Sequence, residues 1–462
     1  MAGVILIPLY TRHLAPETFG VYGLAEAIIQ VAVVVLALGF NVAYLQWFAE
    51  LPEERRRRLL TVALVLIGVG SAVGGGLLAL AGVTGIGSRL TGLPPRPEFW
   101  TIGPLIVLGV LSSLLLTQLR SQRRAIAFSL ASVIRLFATV GASIYTVTVS
   151  PGGVAGVLYG RLGGEAAAMV FLVTVTRRSF GGWGEWPEFS RMMRYGLPIV
   201  VSSIVITILG ITGRYLLTWL GSLADVGIYT AATKVAGVVS LLMVQPFGIA
   251  WGGLMFQIAK EPEARAVYAQ ILFATWTLGW AVIAATGLLT PELFALLTSR
   301  AYVAAERVFP WLLVNQLMIL MQYPVGIGLY LRGRTGLLAS VYVAGLAVNL
   351  AMGLGLVRWA GSTGAAIAWC ASNVTITAAT WTIGQRLYPL QWSRAKFLAV
   401  AAGGSVLLYA GASAAGQVWS VTTIVRAAAA VVVVAGCGWL VLRRLAVPSL
   451  ELGAMPQNQD TG

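Results

Sequence analysis

The chain has 462 residues but only two cysteines and one histidine, and just 10% of its residues are charged. Cys370 and Cys437 stand apart in apolar stretches, with no CxxC pair and no His/Cys ligand spacing. That excludes a zinc module and a disulfide framework, and each cysteine reads as small apolar packing. His13 has no second histidine to join it, so no metal site and no metal cofactor are expected. Acids are scarce: 16 Asp and Glu stand against 31 Lys and Arg, a formal net charge of +15. Paired carboxylates of the kind used in acid–base catalysis are missing. Long polar segments are missing too, so no soluble domain is expected.

What fills the chain is apolar: 58% of residues, in stretches that recur from end to end. Stretches of about 20 residues match the roughly 30 Å hydrocarbon core of a bilayer. Fourteen are found, near residues 1–14, 20–47, 59–82, 100–119, 125–149, 153–176, 194–220, 226–258, 268–290, 308–331, 335–357, 362–385, 396–414 and 421–442. All read as helices, because a helix satisfies its own backbone hydrogen bonds in lipid. The fold class is therefore an all-α integral membrane protein with about 14 transmembrane helices. The opening stretch is short. From Met1 to Leu14 a helix reaches only about 21 Å at 1.5 Å per residue, so either it tilts with help from neighbours or the true start lies upstream. Met1–Leu9 has neither a basic n-region nor a small-residue cleavage site, so a cleaved signal peptide is not expected.

The positive charge is unevenly placed. Arg55–Arg58, Arg120, Arg123, Arg124, Arg177, Arg178, Arg191, Arg194, Lys260, Arg265, Arg332, Arg334, Arg386, Arg394, Lys396, Arg443 and Arg444 fall in alternate loops. Only Arg12, Arg89, Arg96, Arg300, Arg307 and Arg358 fall in the opposite ones. By the positive-inside rule the first set is cytoplasmic, which puts both termini in the cytoplasm if the first stretch crosses completely, and the protein is expected in the cytoplasmic (inner) membrane. The bilayer accounts for the charge, and no nucleic acid is needed as a partner.

Three motifs occur twice. Thr11–Tyr22 reads TRHLAPETFGVY and Thr218–Tyr229 reads TWLGSLADVGIY, so that Thr11 falls on Thr218, Gly20 on Gly227 and Tyr22 on Tyr229 at an offset of 207. LRSQRRA at Leu119–Ala125 is echoed by LRGRTGL at Leu331–Leu337, and Gly153–Gly156 by Gly361–Gly364. Such internal symmetry in a membrane protein marks a transporter with its site between the halves. The repeat divides the chain into a first lobe at 1–190 (spans 1–6), a second at 191–385 (spans 7–12), a helix pair at 386–445 (spans 13 and 14) and a polar tail at 446–462. An even number of spans per repeat relates the lobes by an axis along the membrane normal. Glu185–Arg194 is expected to bridge the halves along the inner surface.

Four segments carry a family resemblance: PLYTRHLAPETFGVYGLA (Pro8–Ala25), GGVAGVLYG (Gly152–Gly160), GRYLLTWLGSLADVGIYTAA (Gly213–Ala232) and VNLAMGLGLVRWAGSTGAAIA (Val348–Ala368). In their order and spacing the chain resembles the polysaccharide-biosynthesis (O-antigen flippase) branch of the multidrug/oligosaccharidyl-lipid/polysaccharide exporter superfamily. The resemblance implies two six-helix lobes around a central cavity that opens alternately to each side. It also implies transport of an undecaprenyl-diphosphate-linked oligosaccharide from the inner leaflet to the outer. Polymerase and glycosyltransferases of the same pathway would be the candidate protein partners. One departure stands out: the family often has Asp-Arg-Tyr in span 7, where this chain has Gly213-Arg214-Tyr215.

A flippase needs cations for an anionic headgroup, hydrogen-bonding groups for sugars, and lobes that rock. Ionisable groups within spans are costly and generally face a cavity or a partner. Those found are Glu26, Arg135, Arg161, Glu165, Arg214 and Lys234, four cations against two acids. With Gln30 and Asn349 they form the candidate substrate-binding set. Lys234 lies one position past the repeat equivalent of Glu26, so the two can face each other across the pseudo-axis and pair in one state of a cycle; the alternative is that each snorkels or pairs within its own lobe. Arg161 and Glu165, four apart on one helix face, read as an ion pair, or else Arg161 or Arg135 touches substrate while Glu165 balances charge. Arg214 either faces the cavity or snorkels; Arg426, nearer its helix end, is expected to snorkel. For the uncharged polar residues Gln30, Asn41, Gln46, Gln245, Asn315, Gln316, Gln322, Asn349 and Asn373, some of which can bind sugars, interhelical hydrogen bonds are the commoner role. Tyr22, Tyr229, Trp251 and Trp276 either stack on sugars or pack. Pro198, Pro246 and Pro324 interrupt backbone bonding, and Pro246 is the candidate hinge.

Three other functions compete. A cation-coupled drug antiporter on the same fold needs an acid in span 1 or span 7, and neither has one. A lipid II flippase shares the lipid-diphosphate chemistry and stays open. A membrane glycosyltransferase or polymerase needs a large outer loop or an acidic motif, and both are lacking, so the protein is not expected to be an enzyme. Coupling to H⁺, Na⁺ or the membrane potential is left open by the residues.

Overall fold

Hydrocarbon offers the backbone no hydrogen-bond partner, and the described residues meet that constraint with a succession of helices. The computed structural model describes residues 2–48, 50–86, 88, 92, 94–149, 152–413 and 421–445, and no strand occurs among them. Arg89 and the tail 446–462 lie outside the described residues, as does the side chain of Pro198. The first repeat begins with α1 (Ala2–Ile5), α2 (Ile7–His13), α3 (Pro16–Leu36) and α4 (Phe40–Trp47). It continues with α5 (Glu53–Thr84), α6 (Ile102–Ser121), α7 (Ala125–Thr148) and α8 (Val154–Thr176). The second repeat holds α9 (Trp186–Leu220), α10 (Leu223–Val239), α11 (Gln245–Ile258), α12 (Ala264–Leu288) and α13 (Thr290–Leu297). It closes with α14 (Ala305–Val325), α15 (Ile327–Leu331) and α16 (Thr335–Leu387), and is followed by α17 (Arg394–Ser413) and α18 (Val421–Leu445).

Twelve helices among the described residues are long and apolar enough to cross a membrane. This is fewer than the fourteen predicted, for two physical reasons. The 53 residues of α16 are two helices joined at Gly361, whose φ of 52° and ψ of −129° break the helical path. The predicted first span is α1 and α2, interrupted at Leu6, and each piece is too short to cross alone.

The repeated glycines have a shared geometry. Gly153 precedes α8 with φ 48° and ψ −120°, close to the values at Gly361. Only glycine takes such a backbone readily. Three residues on, a Cβ on Gly156 would lie 2.7 Å from the Thr146 carbonyl oxygen, and one on Gly364 2.0 Å from that of Leu356. The two echoes are thus one tight glycine hairpin, built twice.

Two expectations need correcting here. Glu185–Arg194 is not a separate bridging segment: from Trp186 it is the start of α9, whose 35 residues would span about 52 Å. The clamp between the halves at that point is ionic, because Arg55 donates to Glu185 at 2.9 Å and to Glu188 at 2.5 Å. Arg426 does not snorkel; it donates to Glu292 of α13 at 2.6 Å, and Thr423 donates to the same carboxylate oxygen at 2.8 Å. This buried pair pins α18 to the second repeat. Further along, a Cβ on Gly411 of α17 would lie 2.1 Å from the carbonyl oxygen of Gly287 in α12, so the extra helices seat closely against α12.

Candidate functional site

Helices α3 and α10 cross where the repeat is most evident. A Cβ on Gly20 would lie 2.1 Å from the Leu223 carbonyl oxygen, and one on Gly227 1.9 Å from that of Pro16. Leu223 is the repeat equivalent of Pro16, so the contact is reciprocal, as a two-fold relation demands. Gly23 comes next, against Thr230, again its own equivalent: a Cβ there would meet the Thr230 Oγ1 at 2.4 Å. Small residues let the two backbones approach this closely, and a larger residue at Gly20 or Gly227 has no room.

Six residues past Gly20, about 9 Å further along α3, the seam becomes ionic. Lys234 of α10 donates to both oxygens of Glu26, at 3.0 Å to Oε1 and 2.8 Å to Oε2. Tyr22, one turn earlier on α3, donates its hydroxyl to Glu26 Oε1 at 3.3 Å, and its ring centroid lies 5.3 Å from the Lys234 ammonium. Arg161 of α8 approaches Glu26 Oε1 at 3.7 Å. Arg214 of α9 is close enough to act electrostatically on Glu26, and its buried Nε has no protein partner. One acid is therefore shared among three cations. The side chains of Lys234 and Glu26 are only 11% and 21% exposed, so the pair is largely removed from its surroundings.

The second acid is placed differently from its sequence reading. Glu165 does not pair with Arg161, four residues before it; it accepts from Arg135 of α7 at 3.5 Å. The cause is helix phase. Gly160 and Gly164 press against α7, where Cβ atoms would meet Ser143 Oγ at 2.3 Å and Thr139 Oγ1 at 1.8 Å. With that face fixed, Arg161 reaches α3 and Glu165 reaches α7.

The remaining candidates separate into two kinds. Gln30 is exposed, one turn beyond Glu26 on α3. Asn349 is wholly buried and donates its amide to the Leu209 carbonyl oxygen at 3.2 Å, a helix-to-helix bond. Gln322 donates to Asn373 at 2.9 Å and accepts from Tyr342 at 2.8 Å, while Asn373 donates to Asn315 at 2.8 Å. Those amides knit α14 to α16. Asn41 donates to Ser113 at 3.2 Å. Tyr22, Tyr229 and Trp251 are buried and packed, and Trp276 donates to the Phe397 carbonyl oxygen at 3.0 Å. Pro246 sits at the second position of α11, directly after a π-helical turn at Ser240–Val244. The hydrogen bond from Tyr22 to Glu26 escapes the sequence reading, although their four-residue spacing signals it.

Beside this charged seam lies an apolar groove of about 760 Å³ between the halves, lined by Ile28, Val35, Leu78, Ile211, Tyr215 and Trp219 among others. Ile28 is two residues from Glu26, and Tyr215 is next to Arg214.

Residues 1–258 match the family model described as "Polysaccharide biosynthesis protein", and the chain belongs to that family. No curated protein matches the chain. Among solved structures, it is similar to a lipid II flippase MurJ in an inward closed conformation, at a TM-score of 0.74 and 12% identity over 96% of this chain and 97% of that one. It is also similar to an inward-facing multidrug resistance MATE transporter of the MOP superfamily, at a TM-score of 0.62 and 17% identity over 87% and 95% of the two chains. A MOP superfamily transporter from Pyrococcus furiosus, described as having a binding pocket of reverse polarity, gives 0.51 at 17% identity over 87% and 91%. At these identities the likeness shows the fold: a multi-pass membrane protein with the architecture of MOP-type transporters.

Proposed function

We propose that the protein moves an undecaprenyl-diphosphate-linked oligosaccharide from the inner to the outer leaflet of the cytoplasmic membrane, for surface polysaccharide biosynthesis, by alternating access between two lobes. The observation that carries this is the charge excess at the seam: Lys234, Arg161 and Arg214 around the single acid Glu26. A diphosphate bears the opposite charge, and guanidinium groups bond phosphate oxygens in bidentate fashion. The adjoining apolar groove suits an isoprenoid chain, which stays out of water while the headgroup crosses.

In this reading Glu26 and Lys234 form a gate. With no substrate, the acid neutralises Lys234 and holds α3 to α10. An arriving diphosphate competes for Lys234 and Arg161, the bond across the seam weakens, and the lobes separate on that side. No covalent bond is made or broken, so the protein acts as a transporter and not as an enzyme. The lobes are taken as 1–190 and 191–385, with 386–445 as an attached helix pair, and Pro246 beside its π turn as the hinge. The arginine distribution supports cytoplasmic termini.

Deleting the gene and assaying lipid-linked oligosaccharide leaflet by leaflet tests the proposal. Accumulation in the inner leaflet with loss from the outer is expected. Unchanged outer accessibility, in a strain with no redundant flippase, contradicts it. Lipid II transport is the second reading, favoured by the MurJ-like fold over 96% of the chain. Accumulation of lipid II instead of the oligosaccharide would select it.

A further inference from the structure

Away from the seam, on the face that the positive-inside rule assigns to the cytoplasm, the first repeat holds a pocket of about 380 Å³ lined by Arg56, Arg57 and Arg123. One acid, Glu53, is in the lining and is already bonded to Arg57. The Arg56 guanidinium lies 4.4 Å from the Phe48 ring centroid, which holds it in place, and its buried Nε has no protein partner. Gln122 and Ser179, joined by a 3.2 Å hydrogen bond, add neutral polar groups to the wall.

Arg123 is held at a backbone cost. Its φ of 55° lies in the left-handed region that side chains other than glycine avoid. The second repeat shows what this turn prefers. Arg124 N bonds to Leu119 O and Arg123 N to Arg120 O; correspondingly, Arg334 N bonds to Leu329 O and Gly333 N to Tyr330 O. Gly333, with φ 65°, is therefore the structural counterpart of Arg123. A Cβ on Gly333 would meet nothing, so glycine suits the turn through its backbone alone. The first repeat keeps an arginine where the fold favours glycine, and that arginine lines a pocket with two more.

We propose that Arg56, Arg57 and Arg123 form a binding site for a phosphate group at the inner membrane surface, separate from the transport path. The bearer is either the headgroup of an anionic phospholipid or a free phosphorylated molecule. Basic pockets between membrane helices on this side characteristically take phosphorylated headgroups. The excess of cations over the one paired acid suits such an oxyanion.

The test compares the full-length wild type with Arg123→Gly, Arg56→Gln/Arg123→Gly, and Arg334→Gln, which removes a cation from the same turn of the other repeat. One arm titrates inorganic pyrophosphate into protein in neutral detergent. The other compares nanodiscs of phosphatidylcholine with and without phosphatidylglycerol, counting retained anionic lipid. Wild type and Arg334→Gln are expected to bind in at least one arm, and the double variant about tenfold or more weaker there. Arg123→Gly is expected to melt at a higher temperature while binding less, which separates a ligand role from a structural one. Binding confined to the nanodisc arm identifies a lipid, and binding in detergent a free phosphate. Equal binding by wild type and double variant, or no binding by wild type in either arm, overturns the proposal. No transport is measured, so the outcome is independent of the flipping assignment.

Discussion

In the first repeat the helix on the seam, α3, carries Glu26 and ends in a left-handed break at Leu38 and Gly39, with φ of 51° and 68°. In the second, α10 carries Lys234 and runs through a π-helical turn at Ser240–Val244 into Pro246. Gly39 and Pro246 are separated by the same offset of 207 as Gly20 and Gly227. The two copies thus place an interruption at one point of the element with opposite means: the residue freest in φ, and the residue that fixes φ and lacks an N–H. The charges differ in the same spirit. A faithful duplicate of Glu26 would set two acids facing across the axis, where burial makes their repulsion costly. Replacing one by a lysine, one residue out of register, turns a repulsion into the bond that joins the copies.

Breaking the charge comparison is expected to give the largest effect. Glu26→Gln leaves Lys234, Arg161 and Arg214 without an acid between them and is expected to cost about 3–5 kcal/mol, the usual range for one buried partner removed. Lys234→Gln leaves Glu26 its contact with Arg161, so a smaller loss of about 1.5–3 kcal/mol is expected. Thermal melting of the two purified variants checks that order; equal losses would mean that Arg161 gives Glu26 no support.

The glycine crossing comes next. Gly20→Ala and Gly227→Ala each force a methyl against a carbonyl, and each is expected to destabilise by about 1–3 kcal/mol. Because the contact is reciprocal, their losses should match. A loss at one position only would show that the crossing is not two-fold.

The smallest effects are expected at the two interruptions. Gly39→Ala meets an unfavourable φ and places a Cβ 2.5 Å from the Gly196 carbonyl oxygen, so it should lower the melting temperature. Pro246→Ala is expected to change stability by less than about 1 kcal/mol yet slow transport. Unchanged transport in Pro246→Ala removes the hinge assignment.

Much of this architecture is legible in the order of residues alone, and the limits of that legibility are physical. Apolar runs and the absence of soluble stretches define a helical membrane protein by the bilayer constraint alone. The offset of 207 brings Glu26 and Lys234 to near-equivalent positions, and the structure has them 2.8 Å apart. Partners set by helix rotation are not legible. Arg161 and Glu165 share a face by spacing, but Gly160 and Gly164 turn that face so that each finds a different helix. Arg426 departs from expectation for a related reason: what a polar residue bonds depends on which helix lies beside it, and sequence spacing along its own helix is silent on that. The LRSQRRA echo aligns one way by its letters and another by its turn, where Gly333 and not Thr335 is the counterpart of Arg123.

The claim that one ion pair joins the two repeats and gates the seam is tested most directly by a double-mutant cycle on initial flipping rate in proteoliposomes, with wild type, Glu26→Gln, Lys234→Gln and the double variant. If the pair acts as a unit, the loss in the double variant is smaller than the product of the two single losses, because removing Lys234 relieves the charge that Glu26→Gln leaves unpaired. Losses that multiply, as for two independent sites, would contradict it.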